Sequence, residues 1–267
     1  MTEELQELQE PEDESTDAMR VTIVAEESVL YTPEMADYLL TELPENVDVR
    51  GVLPLERESS RLDNAGYYLD FLGPYASLWF GFQVGKRKLL DLVNSPQTVS
   101  SVARDHDVPV LGFDRVNHPE HVRFLRQEDV DVVVSLGTEE PFGSDLLDAP
   151  NEACLTLQHG DLQESNPGFW ALKNGEDEAT VTVHEVAEGT EIGPILAQGH
   201  VPIRESESWD SLRRRFSPYG AELLIGTLRD IDEGTVDRRP VVRKSRPSQS
   251  PRTQDGKAFR DQGGRFL

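Results

Sequence analysis

The 267-residue sequence predicts an α/β fold, a doubly wound and mostly parallel sheet followed by a C-terminal helix and tail, on three observations. From residue 98 onward, helical stretches at 98–106 and 118–127 alternate with short apolar runs at 109–112 and 130–135, the order that right-handed crossovers demand. Residues 209–233 repeat Leu212, Phe216, Tyr219, Leu223 and Leu224 at helical spacing and stop at Gly234. Residues 153–158 set Ala153, Leu155 and Leu157 against Cys154, Thr156 and Gln158, the alternation of a half-buried strand.

Residues 1–18 are rich in Glu, Asp and Gln and poor in large apolar groups, so they cannot bury enough surface to offset ordering; a disordered acidic tail is predicted. A first strand over 20–25 runs into Glu26-Glu27-Ser28, with neither a dinucleotide fingerprint nor a phosphate-cradling glycine loop. Thr32 and Pro33 predict a helix capped by the threonine and continued through Met35, Leu39, Leu40 and Leu43. A second strand follows over 47–53. Residues 62–93 read as an aromatic-rich helical stretch broken at Gly73-Pro74, with Tyr67, Tyr68, Phe71, Tyr75, Trp79, Phe80 and Phe82. Packing against the sheet is the first reading of those rings, and a surface for a second copy, over 64–93, is the other. After the strand at 153–158 come a short helix at 169–174, a strand at 180–185 and a polar loop at 188–193. The three expected segments are therefore the acidic tail 1–18, an α/β domain 19–234 and a basic Ser/Pro/Gly-rich tail 235–267.

The formal net charge is −24, with 50 acidic against 26 basic residues. So much like charge repels itself in dilute buffer and is relieved in concentrated salt, which points to a halophilic protein and disfavours nucleic acid as a partner. The basic tail residues come without interleaved aromatics, so a tail that neutralises acidic neighbours is preferred to a nucleic-acid arm. The single Cys154 forms no internal disulfide and suggests a reducing, cytoplasmic setting. The longest apolar patch, 76–82, is too short to span a bilayer, so no membrane partner is expected. His118 and His121 stand three apart without an evident third ligand, and no metal is expected.

Several motifs carry a resemblance: Gly160-Asp161-Leu162, Asn166-Pro167-Gly168-Phe169-Trp170-Ala171, Asn174-Gly175-Glu176, Val181-Thr182-Val183-His184 and Gly193-Pro194-Ile195-Leu196. Residues 20–234 resemble the folate-dependent formyltransferases, with their Rossmann-type sheet. Anchored on Gly160-Asp161-Leu162, the resemblance puts Thr156 where the family has its catalytic Asn and Gln158 where it has its His. Shifted by one residue, it puts His159 on the His and Leu157 on the Asn. Glu191 matches the family's Asp in either register. The segment after Leu162 is shorter than in the family, and the roughly thirty residues after 234 are fewer than the C-terminal barrel of initiator-tRNA formyltransferases needs.

The resemblance implies a catalytic set of His159, Gln158, Thr156 and Glu191. It also implies a folate site at Leu136, Gly137, Thr138, His184, Val186, Gly189 and Thr190. The donor would be 10-formyltetrahydrofolate and the acceptor a small-molecule amine. Adjacent strand residues point to opposite faces, so Gln158 and His159 converge only if the chain turns there. Because the altered positions are the catalytic ones, two other readings stand beside N-formyl transfer. One is a pseudoenzyme that binds folate or a nucleotide-sugar without turnover; the other is a structural or interaction protein.

Overall fold

A computed structural model describes residues 18–28, 30–56, 65–91, 97–138, 140–160, 166–188, 192–241 and 250–267. The predicted acidic tail, apart from Ala18, lies outside these residues.

Six strands form one sheet: β1 (Met19–Glu26), β2 (Val47–Leu55), β3 (Val132–Leu136), β4 (Ala153–His159), β5 (Glu178–Val186) and β6 (Ile192–Pro202). Their order is β2-β1-β3-β4-β5-β6. The first four run parallel, while β5 and β6 are antiparallel to their neighbours. The expected α/β, mostly parallel sheet is therefore what the chain forms. The central β3, Val-Val-Val-Ser-Leu, is buried at every position, as a strand covered on both faces must be.

The helices are α1 (Thr32–Glu42), α2 (Ala65–Leu72), α3 (Pro74–Asp91), α4 (Val99–Asp105), α5 (Pro119–Gln127), α6 (Ser144–Leu147), α7 (Phe169–Asn174), α8 (Trp209–Asp232) and α9 (Thr253–Asp261). One sheet face, with Ile23, Val134, Leu155, Leu157 and Val183, packs on Met35 and Leu39 of α1, Val102 of α4 and Leu212 and Leu224 of α8. The opposite face, with Val24, Leu53, Val133 and Cys154, packs on Val122 and Leu125 of α5 and Leu146 of α6. The Cys154 thiol is buried there with Sγ 3.8 Å from the Leu146 carbonyl oxygen. Burial, then the negative charge of Glu185, pushes its pKa up to about 12.

Two local expectations need correction. Thr32 does not cap α1: it is the first helical residue, and Tyr31 occupies the cap position without a side-chain hydrogen bond. Residues 109–112 form no strand. The chain hydrogen-bonds β2 through Val52 N–H to the Pro109 carbonyl and Leu111 N–H to the Val52 carbonyl, both 2.8 Å, around an isolated Val52–Val110 bridge. Pro109 has no N–H to extend a ladder.

The aromatic stretch divides between its two readings. Phe71 and Phe80 are buried in a third cluster with Phe169, Trp209, Phe259 and Phe266, whereas Tyr75, Leu78, Phe82 and Leu89 stand exposed on α3. Phe259 and Phe266 come from the predicted basic tail, where α9 lies against α2. Arg260 donates to the Phe71 carbonyl and, at 3.1 Å, to that of Asp70; the Trp209 N–H donates to the Arg265 carbonyl at 2.9 Å. Among the described residues no helix is long and apolar enough to cross a membrane.

Candidate functional site

The parallel strands β1, β3 and β4 end together at Glu26, Leu136 and His159, which defines the carboxyl edge where ligands bind in open α/β sheets. At that edge β4 splits the predicted catalytic residues. Leu157 packs in the cluster beneath α8, and His159 follows it to the same face. The His159 ring stacks on Phe216 of α8, with centroids 5.2 Å apart and planes 16° from parallel. A Cβ added at Gly220 would lie 2.8 Å from His159 Nε2, so any larger residue there would have to displace the ring. Nε2 is buried without a hydrogen-bond partner among the described residues. Burial and then the charge of Arg213, opposed by the Phe216 main chain, push the His159 pKa down to about 3. This imidazole is neutral.

Thr156 and Gln158 share the other face with Cys154. Thr156 Oγ1 donates to the Ser135 carbonyl and Gln158 Nε2 to the His159 carbonyl, both at 3.4 Å. The register sets Thr156 opposite His184 and Gln158 opposite Thr182, with Gln198 beyond Thr182 on β6. Directly opposed residues project to one side, so Thr156, Gln158, Thr182, His184 and Gln198 make a polar patch on that face. Gln198 Nε2 donates to Thr182 Oγ1 at 3.1 Å. The structure thus brings together Thr156, Gln158 and His184 and leaves His159 across the sheet from them.

His184 sits where the β5–β6 register slips on both sides of it, a bulge of the kind that re-aims side chains. Gly193 permits the slip: a Cβ there would lie 2.6 Å from the Glu185 carbonyl oxygen. Nδ1 of His184 lies 2.7 Å from that same oxygen, and a carbonyl only accepts, so Nδ1 carries the proton and Nε2 the lone pair. Burial lowers the His184 pKa, opposed by this hydrogen bond.

Of the residues implied at a folate site, Leu136 turns its side chain into the core and leaves its main chain at the edge. Gly137 follows with φ +77°, and Thr138 Oγ1 is buried without a hydrogen-bond partner among the described residues. Val186 packs beside Cys154. Gly189, Thr190 and Glu191 lie outside the described residues, in the connection between β5 and β6. Among the described residues no group of three His, Cys, Asp or Glu could hold a metal ion.

Sequence reasoning missed a second cluster at this edge. Arg213 lays its guanidinium 4.1 Å from the Tyr31 ring centroid and 5.1 Å from that of Trp209. It is half-buried. Burial lowers its pKa, although an arginine keeps its charge. The run Arg213-Arg214-Arg215 was visible, but only the fold tells the three apart. Arg214 pairs with Glu34 at 2.7 Å and Asp210 at 3.1 Å, and Arg215 pairs with Glu207 at 2.7 Å. Thr182 and Gln198 were hidden for a similar reason, since only the strand register places them beside Gln158.

Comparison with known proteins gives a consistent picture. The formyl transferase family profile matches residues 86–228, more than half of the chain. A methionyl-tRNA formyltransferase of Pelobacter propionicus is 34% identical over 149 residues, 54% of this chain and 46% of that one. One from Geobacter sulfurreducens is 33% identical over 137 residues, 50% of this chain and 43% of that one. The matched region spans about half the length of these curated relatives. Glycinamide ribonucleotide transformylase 1 from Symbiobacterium toebii superposes with a TM-score of 0.54 at 19% identity, covering 84% of this chain and 95% of that one. The N-formyltransferase from Helicobacter canadensis, solved with folinic acid and dTDP-3-aminofucose, gives 0.55 at 14% identity over 89% and 72%. At such identities the two structures speak for the fold.

Proposed function

The chain belongs to the formyl transferase family, and on that premise we propose that it moves a formyl group from 10-formyltetrahydrofolate to the amine of a small acceptor. The observation that carries this reading is the polar patch at the carboxyl edge, where Thr156, Gln158 and His184 share one face.

Amine attack on a formyl carbon forms a C–N bond and puts negative charge on the formyl oxygen. The Thr156 hydroxyl and the Gln158 amide are donors for that oxyanion. His184, neutral and with its lone pair on Nε2, accepts the proton that the attacking amine sheds. That proton then goes to the folate nitrogen as its C–N bond breaks. Glu191, the family's carboxylate position, would orient His184 or a water. His159 serves as a packed wedge under α8 and takes no part in proton transfer.

A second reading is a folate-binding homologue without turnover. It is favoured by Gln158, because an amide cannot move a proton where the family has histidine. Titration with 5-formyltetrahydrofolate in molar KCl, followed by transfer assays on amino sugars and amino acids, separates the two. His184→Ala and Thr156→Ala are expected to lower kcat by roughly a hundredfold or more while changing folate affinity little, as groups that act in the transition state do. Binding without transfer to any acceptor would favour the second reading. No folate binding would remove both.

A further inference from the structure

We propose that Arg213 is an anion-docking point at the carboxyl edge, which holds a carboxylate or phosphate group carried by the acceptor; this rests on the formyl-transfer reading for the acceptor's identity. The argument begins with charge accounting. In a protein of net charge −24, a half-buried guanidinium would be expected to find a carboxylate, yet Arg213 makes no ion pair or hydrogen bond among the described residues. The nearby carboxylates are engaged elsewhere. Asp210 accepts from the Tyr31 hydroxyl at 2.7 Å and from Arg214 Nε at 3.1 Å. Glu34 is held by Arg87 and by Arg214 at 2.7 Å. Glu26, at the end of β1, acts on Arg213 through its field without forming an ion pair with it.

The geometry of the cation adds to this. Tyr31, at the entrance to α1, and Trp209, at the start of α8, lie against the guanidinium and fix its position. Such stacking occupies the face of the group and leaves its N–H edge, the fork that matches carboxylate and phosphate oxygens. The position is also the right one. Arg213 acts electrostatically on both Glu26 and His159, the last residues of β1 and β4, so it stands at the carboxyl edge, on the α8 side of the sheet.

The test uses the full chain at constant high KCl, with inorganic phosphate and acetate as separate probes, followed by calorimetry and tryptophan fluorescence. Trp209 beside the cation makes fluorescence a local readout. Wild type is expected to bind one of the two probes, and which one it binds identifies the anionic group. Arg213→Gln should weaken that binding about tenfold to a hundredfold, the scale of one or two charge-assisted hydrogen bonds. Arg213→Lys, which keeps the charge and loses the fork, should fall between, and Arg115→Gln, at an exposed arginine, should change nothing. Melting curves in the same buffer exclude misfolding; should Arg213→Gln unfold, the Lys variant carries the comparison. Equal affinity in wild type and the Arg213 variants, or no binding of either probe, would overturn the proposal. Anion binding without binding of 5-formyltetrahydrofolate would leave the docking point and remove formyl transfer, while the converse would remove the docking point alone.

Discussion

His159, which the family resemblance offers as a catalytic residue, lies packed against Phe216 under α8. Its ordinary pKa of 6.5 is pushed to about 3, so it contributes to stability as a neutral ring. Below pH 6.5 the unfolded chain takes up a proton that the folded chain refuses until about pH 3. Stability present above pH 6.5 is thus lost as pH falls through that window, by up to about 1.4 kcal/mol per pH unit. Protonation of carboxylates relieves acidic repulsion over part of the same range, so a difference between two proteins is the informative measurement. Urea melts of wild type and His159→Leu at pH 7.5, 6 and 5 are expected to show wild type losing more stability on acidification. Parallel pH profiles would show that the ring titrates in the fold. The alternation of β4 was enough to say that His159 and Gln158 face apart, but not that α8 covers the His159 face. That depended on Phe216 and Gly220, 57 and 61 residues after His159 and brought there by the fold.

At the scale of elements, β4 and the β5–β6 pair carry the patch, and the bulge between β5 and β6 depends on a missing side chain. Gly193→Ala would drive a methyl group into the Glu185 carbonyl and should cost about 1–3 kcal/mol, the range for overpacking. It should also misplace His184, so kcat is expected to fall more than folate affinity; a variant with wild-type melting and kcat would contradict the role given to the bulge. The motif Gly193-Pro194-Ile195 was legible as a pattern, while its steric reason was not. The helix α9 was not legible at all. Phe259 of α9 and Phe266 beyond it lie among basic and small residues, and only docking on Phe71 and Phe169 gives them a reason. Phe259→Ala is expected to lower stability by about 3–5 kcal/mol in urea melts, as for a buried ring. The sheet, by contrast, was readable because short apolar-rich or alternating runs recur between helical stretches.

For the whole molecule, the excess of acidic charge dominates. Surface ion pairs such as Arg20–Asp129 at 2.8 Å contribute little each, about 0–1 kcal/mol, and are screened together with the repulsion. Net repulsion at charge −24 is the larger effect, so molar KCl, where the Debye length is about 3 Å, should raise the melting temperature. A melting temperature that fell with salt would show that specific ion pairs outweigh the repulsion.

The buried sulfur of β4 gives the protein its own reporter. Cys154 is the only cysteine in the chain, and as a thiol with a pKa of about 12 behind Leu146 it has neither the ionisation nor the access that alkylation requires. Modification by a thiol reagent therefore waits for β4 to separate from α6, and in the regime where closing outruns reaction, its rate counts how often that happens. Since Thr156 and Gln158 follow on the same strand, one labelling curve recorded with and without ligand would convert occupancy of the edge into a measured opening frequency, with no engineered probe.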